Sequence, residues 1–154
     1  CDPNKPAQEV IDLMGPRAHA LGIDLRSDFS QNLKTCHLDS DFIYRCLLNL
    51  VTNALDAFVH VNTDSRDKKV TLRTIKSHGW GVEYQVLDNG CGMNAATQKN
   101  IFKQFFSTKG SEGTGIGLMI SKKIIDEHNG VIKVESQEGV GSKFFIKLPK
   151  KPDG

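Results

Sequence analysis

Three polar residues share one side of a predicted helix whose other residues are mostly apolar. Asn49, Asn53 and Asp56 follow the spacing i, i+4 and i+7. An amide oxygen on a helix can complete the octahedral shell of a hard cation such as Mg²⁺, which prefers oxygen ligands and keeps several waters. Asparagine is a mediocre helix former, so two of them within one turn's reach need another reason. The alternative interpretation is a solvated polar face.

A second polar cluster, Asp88-Asn-Gly90-Cys-Gly92-Met93, closes a predicted strand. A carboxylate at a strand end can accept a hydrogen bond from an exocyclic amine. The two glycines would then let the backbone approach a flat ring closely, because they carry no Cβ atom. The alternative is a simple strand-ending turn, since Asp-Asn-Gly is favourable turn chemistry.

A third segment places Gly113, Gly115 and Gly117 at alternate positions before a predicted helix. Such a helix start offers free N–H groups and partial positive charge to a phosphate. Lys109, four residues upstream of Gly113, can add a point charge for the outer phosphates. The spacing fits neither the dinucleotide fingerprint nor the P-loop. A flexible loop that ends in a helix cap is the alternative.

Helical periodicity predicts the elements that hold the first and third clusters. One helix is expected over Ala7–Met14, stopped by Gly15-Pro16. The long helix with the asparagines starts at the cluster Asp39-Ser-Asp41 and runs to about residue 60. The predicted helices after it are a short one over Asn94–Phe102 and an amphipathic one over Leu118–His128.

Alternating apolar residues predict the strands. A first strand covers Ile23–Phe29, with Lys34–Leu38 as a candidate partner. Two hairpins follow, formed by Val70–Ile75 with Val82–Leu87 and by Val131–Ser136 with Lys143–Leu148. The predicted fold class is therefore α/β, a two-layer sandwich with a mixed β-sheet and about three helices packed on one face.

The bulk composition predicts one soluble cytoplasmic domain. The 154 residues match one ordinary domain, with residues 1–6 as linker and 150–154 as tail. A net charge of +2 gives no nucleic-acid footprint. The four cysteines have no zinc or redox spacing, which favours free thiols in a reducing compartment. No apolar run reaches membrane-spanning length. The absence of an initiator Met suggests a fragment of a longer parent, which could itself be membrane-anchored.

Four boxes in order resemble the ATP-binding domain shared by sensor histidine kinases, gyrase-type topoisomerases, heat-shock chaperones and mismatch-repair ATPases. The likeness covers about residues 6–149 and is greatest to the histidine kinase branch. Ser142, in the closing hairpin, stands where Thr is common in that family. The segments that resemble the asparagine, first glycine, phenylalanine and second glycine boxes are residues 49–54, 88–93, 101–106 and 113–118.

The resemblance implies a role for each matching position. Asn53 would hold Mg²⁺ and Asp88 would bind the adenine amine. Asn49 and Lys109 would be catalytic, and Lys109 would reach the β- or γ-phosphate. Residues 93–112 would form a mobile lid over the nucleotide. The implied contacts to ATP and its metal are Asn53, Asp56, Ala57, Asp88, Gly90, Gly92, Met93, Phe102, Lys109, Gly113, Thr114, Gly115, Ile116, Gly117, Leu118 and Ser142.

Two positions depart from patterns within this superfamily. Asp56 occupies a place where many histidine kinases carry a basic residue, which puts an extra phosphate contact there in doubt. Asn49 occupies the place where the ATPase branch has the Glu that activates water. Because an amide cannot accept a proton at neutral pH, this difference favours phosphoryl transfer over hydrolysis.

None of the five histidines has the context of a phosphoacceptor, which implies an acceptor outside this chain. The resemblance then predicts two partners, a phosphoacceptor His domain of the same parent and a response regulator. It also predicts a monomeric isolated domain and a homodimeric parent. The alternatives are an ATPase or protein-serine kinase of the same superfamily, and a non-catalytic nucleotide-sensing module. The histidines are His19, His37, His60, His78 and His128.

Overall fold

The computed structural model describes residues 2–35, 38–59, 67–102 and 115–150, with backbone only at 115–117. The helices of this part are α1 (Asn4–Ala20), α2 (Ser40–Asp56), α3 (Ala95–Asn100) and α4 (Gly115–Glu127). The strands are β1 (Asp24–Phe29), β2 (Lys69–Ile75), β3 (Val82–Asp88), β4 (Val131–Gln137) and β5 (Gly141–Leu148).

The five strands form one sheet in the order β1-β2-β3-β5-β4. β1 and β2 pair in parallel, whereas β2–β3, β3–β5 and β4–β5 pair antiparallel. Both predicted hairpins are therefore confirmed, as β2–β3 and β4–β5. The mixed α/β sandwich is confirmed as well.

One face of the sheet, called the inner face below, carries the core. Cross-strand partners Leu72, Val86 and Phe144 lie on it in a row and are buried. Helices α1, α2 and α4 pack against the sheet or one another, which leaves the opposite face uncovered by them. The largest fully buried side chains include Ile43, Leu47, Leu50, Leu55, Leu72, Tyr84, Ile125 and Leu148.

Helix α2 begins where its sequence signal predicts. The Asp39 side chain caps it by accepting from the backbone N–H groups of Asp41 at 3.0 Å and Phe42 at 3.4 Å. Its end is earlier than the predicted residue 60, because Ala57 already serves as the C-cap. The chain turns there, which brings the end of α2 towards the loop after β3.

Helix α1 contradicts the predicted stop at Gly15-Pro16. It continues to Ala20, with Pro16 inside it, although proline removes one intrahelical hydrogen bond. Val10, Met14 and Ala18 are buried at helical spacing, so core packing holds the helix together across the break signal. The helix also begins at Asn4, inside the stretch expected to be linker.

Three other boundaries differ from the prediction. Helix α4 starts at Gly115 instead of Leu118, so part of the third glycine-rich segment is helical. Helix α3 is shorter than predicted, although Asn94 does cap it by accepting from Thr97 N–H at 2.8 Å. Lys34, Thr35 and Leu38 are not in a strand, and β1 takes β2 as its partner. Residues 36 and 37 of that predicted strand lie outside the described residues.

Candidate functional site

Three polar side chains form a row across one end of the inner face. Asp88, the last residue of β3, lies opposite Ser142 of β5, and Ser142 lies opposite Ser136 of β4. Directly opposed side chains on one face are neighbours, with Cβ atoms about 4.5–5.5 Å apart. All three are half-buried. The row therefore offers polar groups to a ligand between the sheet and the helices.

The turn after Asp88 is held by backbone and side-chain hydrogen bonds. Asp88 Oδ1 accepts from Gly90 N–H at 2.9 Å. The N–H of Cys91 donates to the Ala57 carbonyl at 3.2 Å, and the Cys91 carbonyl accepts from Gly139 N–H at 2.7 Å. These bonds join the end of α2, the loop after β3 and the β4–β5 turn into one frame around the carboxylate.

Asn89 fixes the same turn to the start of β2. Its amide Nδ2 donates to the Asp67 carbonyl at 2.6 Å, and its Oδ1 accepts from Lys69 N–H at 2.8 Å. Because Asn89 follows Asp88 directly, these bonds limit how far the carboxylate can shift. The sequence suggested only turn chemistry for Asn89, so this anchoring role was missed.

Glycines make the close packing of this frame feasible. A Cβ on Gly90 would lie 2.8 Å from the Ala57 Cβ and 3.1 Å from Asp88 Oδ1. On Gly92, which has a φ of +66°, it would lie 2.0 Å from the Gln137 carbonyl oxygen. On Gly141 it would lie 2.1 Å from the Asp88 carbonyl oxygen. These glycines therefore let backbone segments of the chain pack closely around Asp88, and the predicted approach of Gly90 and Gly92 to a flat ring stays a prediction.

Met93 is tied to the polar row through Ser136. Its N–H donates to Ser136 Oγ at 2.8 Å, and its carbonyl accepts from Gln98 Nε2 at 3.0 Å. Gln98 also donates to the Ser136 carbonyl at 2.9 Å. Sequence reasoning missed both Ser136 and Gln98. A readable signal existed for Ser136, because strand alternation places it on the same face as Ile132 and Val134.

The three polar residues of α2 have different surroundings. Asn49 Nδ2 donates to Ser121 Oγ on α4 at 3.3 Å, so this amide links the two helices. Asn53 is half-buried one turn further along. Asp56 Oδ1 lies 3.7 Å from Arg17 Nη2 of α1. The Asp56 carboxylate is therefore next to a guanidinium, and its part in nucleotide binding stays a prediction.

Ser121 is buried under α4 and also touches Cys46 of α2. Burial raises the pKa of the Cys46 thiol to about 11, and the hydrogen bond with Ser121 opposes part of that rise. Cys46 is thus a neutral structural thiol, as predicted for a buried free cysteine. Ser121 was not predicted, although a serine at core spacing with Leu118 and Ile125 is a visible exception.

The donor chemistry around Asn53 fits a hard divalent cation bound mainly by a substrate. Among the described residues, no group of three or more His, Cys, Asp or Glu side chains could hold a metal ion. Mg²⁺ keeps several waters and commonly takes one or two protein oxygens together with phosphate oxygens. A single amide oxygen from α2 is compatible with that mode.

The remaining predicted contacts fall into two groups. Phe102 packs edge-on against Phe144, with ring centroids 6.3 Å apart, and Leu118 is buried in the core. Gly115, Ile116 and Gly117 form the first turn of α4. The predicted contacts outside the described residues are Lys109, Gly113 and Thr114, together with half of the predicted lid, residues 103–112.

Residues 38–152 match the family described as "Histidine kinase-, DNA gyrase B-, and HSP90-like ATPase". The chain belongs to this family. The match includes every one of the four boxes, so the resemblance drawn from them is confirmed. It excludes α1 and β1, which nevertheless pack on the domain and contribute Arg17 beside Asp56.

Similar proteins point to the histidine kinase branch. The chain is 33% identical over 151 residues to the signal transduction histidine-protein kinase AtoS of Escherichia coli (strain K12), covering 98% of this chain and 24% of AtoS. The structure of full-length ShkA in complex with AMPPNP superposes with a TM-score of 0.84 and 28% identity, over 97% of this chain and 30% of ShkA.

A further solved structure is histidine kinase ThkA in complex with the response regulator protein TrrA. It matches with a TM-score of 0.76 and 28% identity, over 97% of this chain and 40% of ThkA. The chain thus spans about a quarter to two fifths of the length of these three relatives. No helix in the described part is long and apolar enough to cross a membrane.

Proposed function

We propose that this chain is the catalytic and ATP-binding domain of a sensor histidine kinase. It binds Mg-ATP and presents the γ-phosphate to a His on a separate domain of its parent protein. The observation that carries the proposal is the fixed carboxylate of Asp88, half-buried at the sheet end beside Ser142 and framed by α2. The family and the kinases similar to the chain support the same function.

The adenine lies against the polar row, with its amine donating to Asp88. A charged acceptor contributes about 1.5–3 kcal/mol to such a hydrogen bond. Ser142, on the neighbouring strand, accepts from the same amine. The backbone of Gly90, Gly92 and Met93 lies against the adenine ring. The frame of hydrogen bonds around Asp88 orients this acceptor before ATP arrives, so little reorganisation is needed on binding.

The phosphates extend from the base towards α2 and the start of α4. The first turn of α4 offers N–H groups to them. Asn53 provides an oxygen for Mg²⁺, which when bound neutralises charge on the phosphate oxygens. Lys109 adds a positive charge. The domain thus contributes positioning and charge neutralisation, which are the main requirements of phosphoryl transfer.

Asn49 supports a kinase over a hydrolase. Its amide donates to Ser121, and it has no proton-accepting nitrogen with which to activate water. We expect the isolated chain to bind ATP and to hydrolyse it slowly. The phosphoacceptor domain of the parent is the first partner and a response regulator is the second, as in the relative ThkA with TrrA.

The test combines this chain with Mg-ATP labelled in the γ-phosphate and with the separately produced phosphoacceptor domain proposed for its parent. Stable label on that domain, lost in acid and retained in base, is the expected result. At an ATP concentration below saturation, Asp88→Asn should reduce labelling by about tenfold or more, whereas Ser27→Ala on the exposed edge strand should not change it.

Two outcomes would contradict the proposal. Acid-stable label on a serine would identify a protein-serine kinase of the same family. Steady phosphate release by the chain alone, abolished by Asn49→Ala, would identify an ATPase. It would also contradict the inference that Asn49 cannot help to activate water.

A further inference from the structure

The hydroxyl of Ser136 makes three short polar contacts at the end of the inner face. Its Oγ lies 2.8 Å from the Met93 backbone nitrogen and 3.0 Å from the Gly141 carbonyl oxygen. It also lies 2.7 Å from the Oγ of Ser142. The first two partners have fixed roles, because an N–H only donates and a carbonyl only accepts.

Those fixed roles decide the direction of the third bond. A serine hydroxyl has one hydrogen to donate and two lone pairs that accept. Ser136 gives its hydrogen to the Gly141 carbonyl, so Ser142 must be the donor in the bond between the two hydroxyls. The opposite direction would leave Ser136 Oγ facing the Gly141 oxygen at 3.0 Å with no hydrogen between them.

Once Ser142 donates to Ser136, it can only accept from a ligand. Asp88, its neighbour on the other side, is also an acceptor when ionised. Adenine presents an amino group at its 6-position, whereas guanine presents a carbonyl oxygen there. Two adjacent acceptors suit the amino group and repel the carbonyl oxygen.

We propose that Ser136 is a specificity-determining positioning residue, which keeps Ser142 an acceptor and so selects 6-amino purines over 6-oxo purines. This inference rests on the proposed function, in which the base lies against Asp88 and Ser142. Ser136 itself acts only through Ser142. Without the Ser136 hydroxyl, the Ser142 hydrogen is released and can turn towards a guanine oxygen.

The experiment measures the dissociation constants of ATP and GTP, each with Mg²⁺, by titration calorimetry on the whole chain. For Ser136→Ala we expect the preference for ATP over GTP to fall about threefold to tenfold, the equivalent of one neutral hydrogen bond. Ser27→Ala makes the same chemical change on an exposed strand and should keep the wild-type preference. Ser136→Thr retains a hydroxyl and should keep it too.

If Ser136 only holds Met93 in place, Ser136→Ala should weaken the binding of ATP and GTP equally. The preference for ATP over GTP would then be unchanged. That result would overturn the inference. Ser142→Ala tests it independently should Ser136→Ala fold poorly, since losing the acceptor must reduce the preference as well. In the double variant, Ser136→Ala should add nothing to Ser142→Ala, and a further fall would overturn the inference. A wild-type chain that binds neither nucleotide would instead defeat the proposed function itself.

Discussion

The inner face of the sheet carries one pair of polar side chains near each end of β3. The two pairs differ in how deeply they are buried. At one end Thr74 of β2 lies opposite Tyr84 of β3, and both are buried. At the other end Asp88 of β3 lies opposite Ser142 of β5, and both are half-buried. We call these the closed end and the open end.

The first turn of α1 encloses the closed end and satisfies its polar groups. Tyr84 donates its hydroxyl hydrogen to the Pro3 carbonyl at 2.7 Å, and Thr74 donates to Asn4 Oδ1 at 2.7 Å. Asn4 Nδ2 in turn donates to the Ser30 carbonyl at 2.8 Å. Buried polar groups in native structures have such partners, because an unmet one is costly.

The open end has a rigid frame, and its polar pair is less buried than the pair at the closed end. Its backbone is fixed by hydrogen bonds at Gly90, Cys91 and Asn89, while Asp88 and Ser142 are half-buried. The comparison teaches that one strand, β3, carries polar side chains for two purposes. At the closed end the polar pair stabilises the fold. At the open end Asp88 also accepts from Gly90 and Ser142 bonds with Ser136, and we propose that this pair binds a ligand in addition.

The largest expected effect comes from removing the charge at the open end. Asp88→Asn should raise the dissociation constant of Mg-ATP by about tenfold or more, because a charged acceptor bond contributes about 1.5–3 kcal/mol. The free energy of unfolding should change much less. Calorimetric titration with denaturant unfolding on the same sample checks both, and unaltered affinity would remove Asp88 from the site.

The matched change at the closed end should have the opposite signature. Tyr84→Phe leaves the Pro3 carbonyl without its donor and should lower the free energy of unfolding by about 1–2 kcal/mol. ATP affinity should stay at the wild-type value. Urea unfolding and calorimetry measure the two quantities, and a loss of affinity as large as that of Asp88→Asn would break the comparison.

A pH titration sharpens the contrast through Cys46, which lies with Tyr84 in the core. Burial raises the pKa of this thiol from the ordinary 9.0 to about 11, so the unfolded chain loses the proton first. The stability that Cys46 contributes should be complete below about pH 9 and lost as the pH rises to about 11.

Unfolding midpoints recorded between those pH values measure this loss. Cys46→Ala should remove that part of the pH dependence, whereas Cys91→Ser, an exposed thiol at the open end, should keep it. An identical pH dependence in the wild type and Cys46→Ala would contradict the buried neutral thiol.

The smallest expected effect concerns the helix that encloses the closed end. Gly15 lies inside α1, and a Cβ there would meet no atom within 4 Å other than those of its chain neighbours and its own helix backbone. Helix propensity favours Gly15→Ala by about 0.5–1 kcal/mol. The new Cβ, however, contacts the Pro16 ring and disfavours helical backbone before proline, so we expect only a smaller rise in the free energy of unfolding. ATP affinity should not change. Thermal unfolding checks the gain, and destabilisation would indicate that α1 needs its glycine beside Pro16.

The parts of the fold that depend on local signals could be predicted from the sequence. Alternation predicted both hairpins, and Asp39 predicted the start of α2. The continuation of α1 could not be predicted, because the local break signal at Gly15-Pro16 is outweighed by packing of Met14 and Ala18. The parallel pairing of β1 with β2 joins residues more than forty positions apart and has no local signature.

The candidate site divides in the same way. Asp88 and Gly90 were predicted because a strand end, a carboxylate and a glycine stand side by side in the chain. Ser136 and Ser121 were not predicted as site residues. Their hydrogen-bond partners lie on other segments of the chain, and the packing that brings them together cannot be read from the local sequence. The roles of Asp88, Asn53 and Lys109 towards a nucleotide stay predictions that the binding experiments decide.

The anchoring of Tyr84 to Pro3 has a consequence for where the domain can be cut. The family match begins at residue 38, yet the side chains that the first turn of α1 covers lie on β2 and β3. A truncation at residue 38 would expose the hydroxyls of Thr74 and Tyr84 to solvent, together with a wide apolar surface in the middle of the sheet. A truncated domain that keeps these hydrogen bonds must therefore reach upstream at least to Pro3.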